Sequence, residues 1–259
     1  MLIAQVSDFH VITPGADGIR PGDTDTFAAL DRCVDALAAL TPRPDVVLAC
    51  GDLVHCGGAD DYRKLSAILA RLDVPIFVAP GNNDHRANLW AVFGKSACPS
   101  ASDAFLHYAV ETFPVRLIAV DTLDPGRTGG RLCEERLSWL DAALNDQPNR
   151  PTLLFMHHVP FVTGMTAFDS DALIGADGLE HVVRAHPNVE RILCGHMHRP
   201  AHAPFAGTTV TVTPSVSFGL ALDLTPGSTI RPVRDPVAFQ LHQWRPGAGW
   251  VSYLSYIPA

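Results

Sequence analysis

The chain has no excess of basic residues. Its 19 lysines and arginines stand against 27 aspartates and glutamates, a formal charge of −8 at pH 7. That excludes a protein that holds long nucleic acid through a basic surface, because such binding needs clustered Lys and Arg. It leaves room for a small anionic substrate whose charge is neutralised locally by cations. No apolar run approaches the roughly 18–20 residues needed to span a bilayer, so no membrane association is expected. The first strand-like run begins at Leu2 and a polar motif begins at Asp8, which leaves no space for the parts of a secretory signal. Cytoplasm is the expected location. The six cysteines (Cys33, Cys50, Cys56, Cys98, Cys133 and Cys194) include no C-x-x-C pair. Neither a disulfide framework nor Cys-ligated zinc is therefore expected. Cys50 and Cys194 each close a strand-like run and read as small buried hydrophobes. Cys56 follows the Asp52 loop. There is no internal repeat and no low-complexity tract.

What is present is enough apolar residue for one substantial core, 47% of 259 positions, so a single α/β domain over 1–259 is expected. Strand-like runs are Leu2–Ser7, Asp45–Cys50, Pro75–Ala79, Phe105–Val110, Val115–Val120, Thr152–Met156 and Arg191–Cys194. After a Gly/Pro-rich loop, Thr26–Leu40 carries Phe27, Leu30, Val34, Leu37 and Leu40 at helical spacing. Asp60–Leu72, Leu137–Leu144 and Leu179–Ala185 are also helix-like, with Trp139 as a core anchor. Strand alternating with helix predicts largely parallel sheets covered by helices. Thr208–Thr213, Val237–Trp244 and Trp250–Tyr256 are rich in β-branched and aromatic residues and read as further strands. We expect two sheets packed face to face with helices outside. Residues 200–259 would complete the second sheet, and Pro214–Pro236 would form a loop or cap near the site.

Five short polar motifs each follow an apolar run: Asp8-x-His10, Gly51-Asp52, Gly81-Asn82, His157-His158 and Gly195-His196-x-His198. Ligands of open α/β sheets gather beyond the carboxyl ends of strands, so these loops can converge on one point. Together they offer carboxylate, amide and imidazole donors for two adjacent metal ions. Asp52 can bridge both ions through its two oxygens, and Asn82 adds a neutral ligand. Such donors suit Fe, Mn, Zn or Co better than copper(I) or an iron–sulfur cluster. Water between two cations loses a proton near neutral pH and becomes a nucleophile, so no activated serine or cysteine is needed. The chemistry to expect is hydrolysis of a phosphate ester.

These blocks resemble those of the calcineurin-like binuclear metallophosphoesterases, whose pattern is Asp-x-His, Gly-Asp, Gly-Asn-His-Asp/Glu, His and Gly-His-x-His. The likeness covers residues 1–200. The spacing resembles the bacterial branch of cyclic-nucleotide phosphodiesterases and glycerophosphodiesterases, and Gly51–Gly57, Phe155–His158 and Cys194–His198 are particularly similar to its glycerophosphodiesterase members. The resemblance implies a four-layer α/β/β/α sandwich of two mixed sheets flanked by helices. It implies that Asp8, His10, Asp52 and His198 hold one ion, and that Asp52, Asn82, His157 and His196 hold the other. It further implies two divalent or mixed-valence metal ions and a homo-oligomer, a dimer or larger.

One block departs from the pattern. Where the family has Gly-Asn-His-Asp, this chain has Gly81-Asn82-Asn83-Asp84. In relatives that histidine faces the substrate. Asn83 can donate a hydrogen bond to a phosphoryl oxygen but cannot deliver a proton. Three histidines are candidates to replace it: His55 just beyond Asp52, His85 just past the altered block, and His158 beside His157. The expected substrate is a small phosphodiester, a glycerophosphodiester or related alkyl or aryl diester. The alternatives are a 3′,5′-cyclic nucleotide, a phosphomonoester, or a metal-poor scaffold with little activity. Phe9 and Phe161 could present aromatic surface to a base, or could be packing residues.

Overall fold

The computed structural model describes residues 1–13, 24–100 and 104–258; residues 14–23 of the Gly/Pro-rich stretch lie outside them. In chain order the elements are β1 (Leu2–Val6), α1 (Thr26–Ala38), β2 (Val46–Cys50), α2 (Ala59–Leu69), β3 (Ile76–Ala79), α3 (Arg86–Ala97), β4 (Tyr108–Val110) and β5 (Arg116–Ala119). They continue with α4 (Glu134–Asp146), β6 (Thr152–Phe155), α5 (Thr166–Asp169), α6 (Ala176–Ala185), β7 (Val189–Cys194), β8 (Ala201–Phe205) and β9 (Thr208–Val212). The chain closes with a small hairpin of β10 (Gly219–Leu220) and β11 (Pro232–Val233), then β12 (Ala238–Arg245) and β13 (Gly249–Tyr256).

Two mixed sheets form. The first has the order β13-β12-β1-β2-β3 and the second β4-β5-β6-β7-β9-β8. In the first, β1, β2 and β3 are parallel and β12 and β13 antiparallel. In the second, β5, β6, β7 and β9 are parallel between antiparallel edges β4 and β8. The period-2 alternation of strands sets the layers. Leu117, Ala119, Leu153, Phe155 and Leu193 join the core shared with the first sheet. Their neighbours Ile118, Val120, Leu154, Met156, Ile192 and Cys194 face Leu140 and Leu144 of α4 and Leu179 and Val183 of α6. On the first sheet, α1 and α2 bury Leu30, Val34, Leu37, Leu65 and Leu69. The result is the expected helix–sheet–sheet–helix sandwich.

Buried polar ties cross the core. Gln5 Nε2 donates to the Cys194 carbonyl at 2.8 Å, and Gln240 Nε2 donates to the Val212 carbonyl at 3.0 Å. His242 sits between Gln5 Oε1 and Ser252 Oγ, 2.8 Å from each. Burial, with Arg191 and His202 nearby, pushes its imidazole down to about 3.

The C-terminal strands depart from expectation. Residues 200–259 do not all complete the second sheet: β8 and β9 do, while β12 and β13 extend the first. The reason is the free edge of β1, whose residues Leu2–Gln5 pair antiparallel with β12 and leave β2 on the other side. The hairpin β10–β11 lies within Pro214–Pro236, and Ala221 N–H donates to the Arg231 carbonyl at its neck. Phe9 is buried in the first core, 1% exposed, so its ring is packing. Phe161 is partly buried against the second core. Trp139 stacks on His107 with centroids 4.1 Å apart. Among the described residues, no helix is long and apolar enough to cross a membrane.

Candidate metal centre

The five motifs meet at one edge of the sandwich, just past the ends of β1, β2, β3, β6 and β7. Each polypeptide turns sharply there. Asp8, His10, Asp52, His196 and His198 all have positive φ, between 46° and 70°, a conformation that costs non-glycine residues energy and clusters at functional sites. Glycines permit close approach of the loops. A Cβ on Gly81 would lie 2.3 Å from Asp52 N and Oδ1, and one on Gly195 would lie 1.9 Å from Ser7 Oγ. Asp8 N–H to the Gly51 carbonyl (3.0 Å) ties the loops of the first sheet, Gly195 N–H to the His157 carbonyl (3.0 Å) ties those of the second, and His196 N–H to Asp8 Oδ2 (3.1 Å) joins the two sheets at this edge.

The side chains form two linked groups. In one, His10 Nε2 is 3.1 Å from His198 Nε2 and 3.4 Å from Asp52 Oδ2, and Asp8 Oδ1 is 3.3 Å from His198 Nε2. In the other, His157 Nε2 is 3.1 Å from Asn82 Oδ1 and 3.5 Å from Asp52 Oδ1. Asp52 therefore turns one oxygen to each group. His196 lies beside the second, its ring 5.0 Å from that of His157.

The donors fit metal ions. Asp8 Oδ1 is buried with no hydrogen-bond partner, its neighbours being His198 Nε2 at 3.3 Å, which carries no proton when Nδ1 does, and His10 and His157 Nε2, both at 3.9 Å. A buried charged oxygen without a partner is costly unless a cation meets it. Outer hydrogen bonds orient the rings: His157 Nδ1–H donates to the Cys50 carbonyl (2.7 Å) and His198 Nδ1–H to the Phe218 carbonyl (3.0 Å). Each Nε2 is thereby directed inward as a ligand lone pair. Carboxylate oxygen, amide oxygen and imidazole nitrogen together suit first-row divalent ions.

The electrostatics agree. Burial opposes the charge on Asp8, but His198 and His157 outweigh it and its carboxyl stays below the usual value. For Asp52, burial is likewise overcome by His157, His10 and the Asn83 N–H, which hold it well below the usual range. Burial pulls His10 down to about 4 and, with His157, His196 to about 3, so both are neutral donors. His157 goes the other way: Asp52 overrides burial and raises it to about 9. Either a proton or a metal ion must sit between these groups.

Of the other sequence candidates, Asn83 is in the site: its Nδ2 donates to Asp52 Oδ2 at 2.6 Å and its N–H to Asp52 Oδ1 at 2.8 Å. His55 Nδ1 lies 3.2 Å from His10 Nδ1. His158 is buried with both nitrogens engaged, Nδ1 by Thr122 Oγ1 (2.7 Å) and Nε2 by the Thr128 carbonyl (3.1 Å). Burial, with His196 and His157, holds it well below its usual value, so it is a neutral ring facing the Thr122–Thr128 loop. His85 is exposed and caps α3, its Nδ1 accepting from Asn88 N–H. Cys56 is exposed.

Sequence reasoning missed Asp84, Phe218 and Ser215. The buried Asp84 carboxylate accepts from Gly81 N–H (2.8 Å), Leu53 N–H (3.2 Å), Val54 N–H (3.3 Å) and Tyr62 Oη (2.8 Å), joining the Asp52 and Asn82 loops. Burial and the Asp52 charge push it up to about 7. Its place in the tetrapeptide 81–84 was the available signal. Ser215 Oγ donates to the Asp8 carbonyl at 2.7 Å. Phe218 packs its ring 4.5 Å from that of His198 and acts through a main-chain carbonyl, which no residue type reveals.

Comparison with known proteins agrees with this geometry. The chain is 33% identical over 258 residues to a probable glycerophosphodiester phosphodiesterase, GpdQ, of Arcobacter nitrofigilis, covering 99% of this chain and 93% of that protein. It is 30% identical to the glycerophosphodiester phosphodiesterase GpdQ of Enterobacter lignolyticus, covering 98% and 90%. It is 27% identical to the 3′,5′-cyclic adenosine monophosphate phosphodiesterase CpdA of Escherichia coli K12, covering 82% and 75%. The fold is similar to that of a dimetal phosphatase from Danio rerio, with TM-score 0.65 at 17% identity and 99% of each chain covered. The calcineurin-like phosphoesterase pattern matches residues 1–200, and the chain belongs to that family.

Proposed function

We propose that this chain hydrolyses small phosphodiesters, with a glycerophosphodiester or related alkyl or aryl diester as its substrate class. The observation that carries the reading is the convergence of the His10, His157 and His198 Nε2 atoms on the buried Asp8 Oδ1, with Asp52 between the two groups and Asn82 and His196 beside His157. Asp8, His10, Asp52 and His198 would hold one metal ion, and Asp52, Asn82, His157 and His196 a second. Bound there, two ions supply Lewis acidity and an activated water for attack on phosphorus. The chain's own groups do the rest. Asp52 keeps its charge in a buried site because His157 and His10 face it. Asn83, whose Nδ2 donates to Asp52 Oδ2, would have its second amide hydrogen for a phosphoryl oxygen and no proton to give a departing alkoxide. The leaving group must therefore depart without that acid.

Similarity over nearly the whole chain to two glycerophosphodiester phosphodiesterases favours this class over cyclic nucleotides. The burial of Phe9 favours it too, since one of two candidate surfaces for a base is gone. Iron, manganese, zinc or cobalt ions, a cytoplasmic location and a homo-oligomer belong to the same proposal. The test is a panel of glycerophosphocholine, cyclic AMP, bis-p-nitrophenyl phosphate and p-nitrophenyl phosphate on manganese-loaded protein. Diesters should be cleaved in preference to the monoester, and glycerophosphocholine in preference to cyclic AMP. Preference for the monoester would contradict the reading.

A further inference from the structure

Among the inward-facing imidazoles, His10 is held differently from His157 and His198. Those two donate their outer Nδ1–H to main-chain carbonyls, of Cys50 and Phe218. The outer nitrogen of His10 instead meets another imidazole, His55 Nδ1 at 3.2 Å, with the rings edge-on at 62°. Nothing else among the described residues hydrogen-bonds His10 Nδ1.

The backbone builds this pairing. Beyond β1 and β2 the two chains stay paired through the site: His10 N–H donates to the Asp52 carbonyl (2.9 Å), Val11 N–H to the Leu53 carbonyl (3.2 Å) and His55 N–H to the Val11 carbonyl (3.1 Å). Val11 and Val54 form a parallel bridge, and Asp84 clamps Leu53 and Val54 from the third loop. His55 is thus set against the edge of His10 turned away from the other ligand atoms.

Two ring nitrogens at this distance need one N–H and one lone pair. If His10 Nδ1 were the acceptor, the proton of the neutral ring would be on Nε2, the nitrogen that faces His198, Asp52 and Asp8. That tautomer cannot ligate a metal ion. We propose that His55 is a positioning residue: as a neutral ring it accepts the Nδ1–H of His10 and so fixes the tautomer and orientation in which His10 Nε2 can hold a metal ion with Asp8, Asp52 and His198. The proposal rests on the two-metal reading above. It assigns His55 to the support of a ligand and not to protonation of a leaving group. Loss of such an outer partner typically weakens metal binding about 10–100-fold.

The test uses full-length protein stripped of metal and titrated with cobalt(II), read by visible absorption and bound stoichiometry. His55→Ala should weaken one of the two cobalt equivalents by about 10–100-fold and leave the other unchanged. His55→Asn, whose Oδ1 can stand close to the place of His Nδ1 as an acceptor, should restore most of the lost affinity. With metal saturating, both variants should keep the unaltered protein's ratio of nitrophenyl-diester to alkyl-diester rates. Thermal unfolding of each metal-free variant checks that it folds. Native cobalt affinity in His55→Ala would overturn the proposal. So would a selective loss of alkyl-diester cleavage in His55→Asn with both metals bound, because that marks a proton donor. If the unaltered chain binds fewer than two cobalt ions yet folds, the two-metal reading falls first and this assignment falls with it.

Discussion

Asp52 links the two halves of the candidate site, because one oxygen faces His10 and the other His157. Asp52→Asn removes the shared charge while keeping the shape. We expect it to bind fewer than two metal ions per chain by elemental analysis and to lose at least ~10²-fold in diester turnover, a loss typical of damaged metal and electrostatic machinery. Asn83 bears on the other end of the reaction. Asn83→His should raise cleavage of an alkyl diester, by at most the ~10²–10⁴-fold that general acids contribute. The nitrophenyl diester, whose leaving group needs little protonation, should change far less. Equal acceleration of both would show that proton delivery is not what the asparagine lacks. At this level the sequence was highly legible as to place: the seven candidate ligand residues follow strand ends and come together at one edge. Ser215 and Phe218 were not, because the Ser215 hydroxyl donates to the main-chain carbonyl of Asp8 and the Phe218 main-chain carbonyl accepts from the His198 side chain, each across a long stretch of sequence. Hydrogen bonding of that kind leaves no spacing or residue-type signature, whereas Asp84 did leave one in its place at the end of the block 81–84.

The loops that present these ligands depend on contacts too close for a side chain. A methyl group on Gly195 would meet Ser7 Oγ and come within 2.8 Å of Asp8 Oδ2. Gly195→Ala should therefore lower stability by about 1–3 kcal/mol and displace Asp8. The expected readouts are a lower melting temperature together with weaker metal uptake; an unchanged pair would contradict the geometry. The strands that carry the loops have their own pH dependence through His242. Its folded-state value of about 3 lies below the ordinary 6.5, so the neutral ring stabilises the fold above pH 6.5. That contribution is lost as pH falls toward 3, at most about 5 kcal/mol from this group. His242→Asn should show a shallower loss of stability between pH 6.5 and 3.5 in denaturant titrations. Buried strands such as Val46–Cys50 and Thr152–Phe155 were readable from their apolar runs. Other elements were not. β8 contains Pro204, which suits only an edge strand, and α3 is interrupted by Gly94 at φ 44°, which breaks its apolar pattern.

The sandwich as a whole brings these pieces together by placing the carboxyl ends of parallel strands from both sheets at one edge. β1, β2 and β3 deliver Asp8, His10, Asp52 and Asn82, while β6 and β7 deliver His157, His196 and His198. The two-sheet plan followed from alternating strand and helix signals, but the partner of the C-terminal strands did not. β12 is an antiparallel neighbour of β1 across more than 230 positions of sequence, with Leu2 opposite Gln243, and local patterning carries no information about that pairing. The account stands or falls on two metal ions acting within one chain. Metal-stripped protein should be titrated with manganese(II) while cleavage of bis-p-nitrophenyl phosphate is followed. Activity should be negligible without metal and reach its plateau at two bound equivalents per chain. Full activity in the stripped protein, or a plateau at one equivalent, would contradict it.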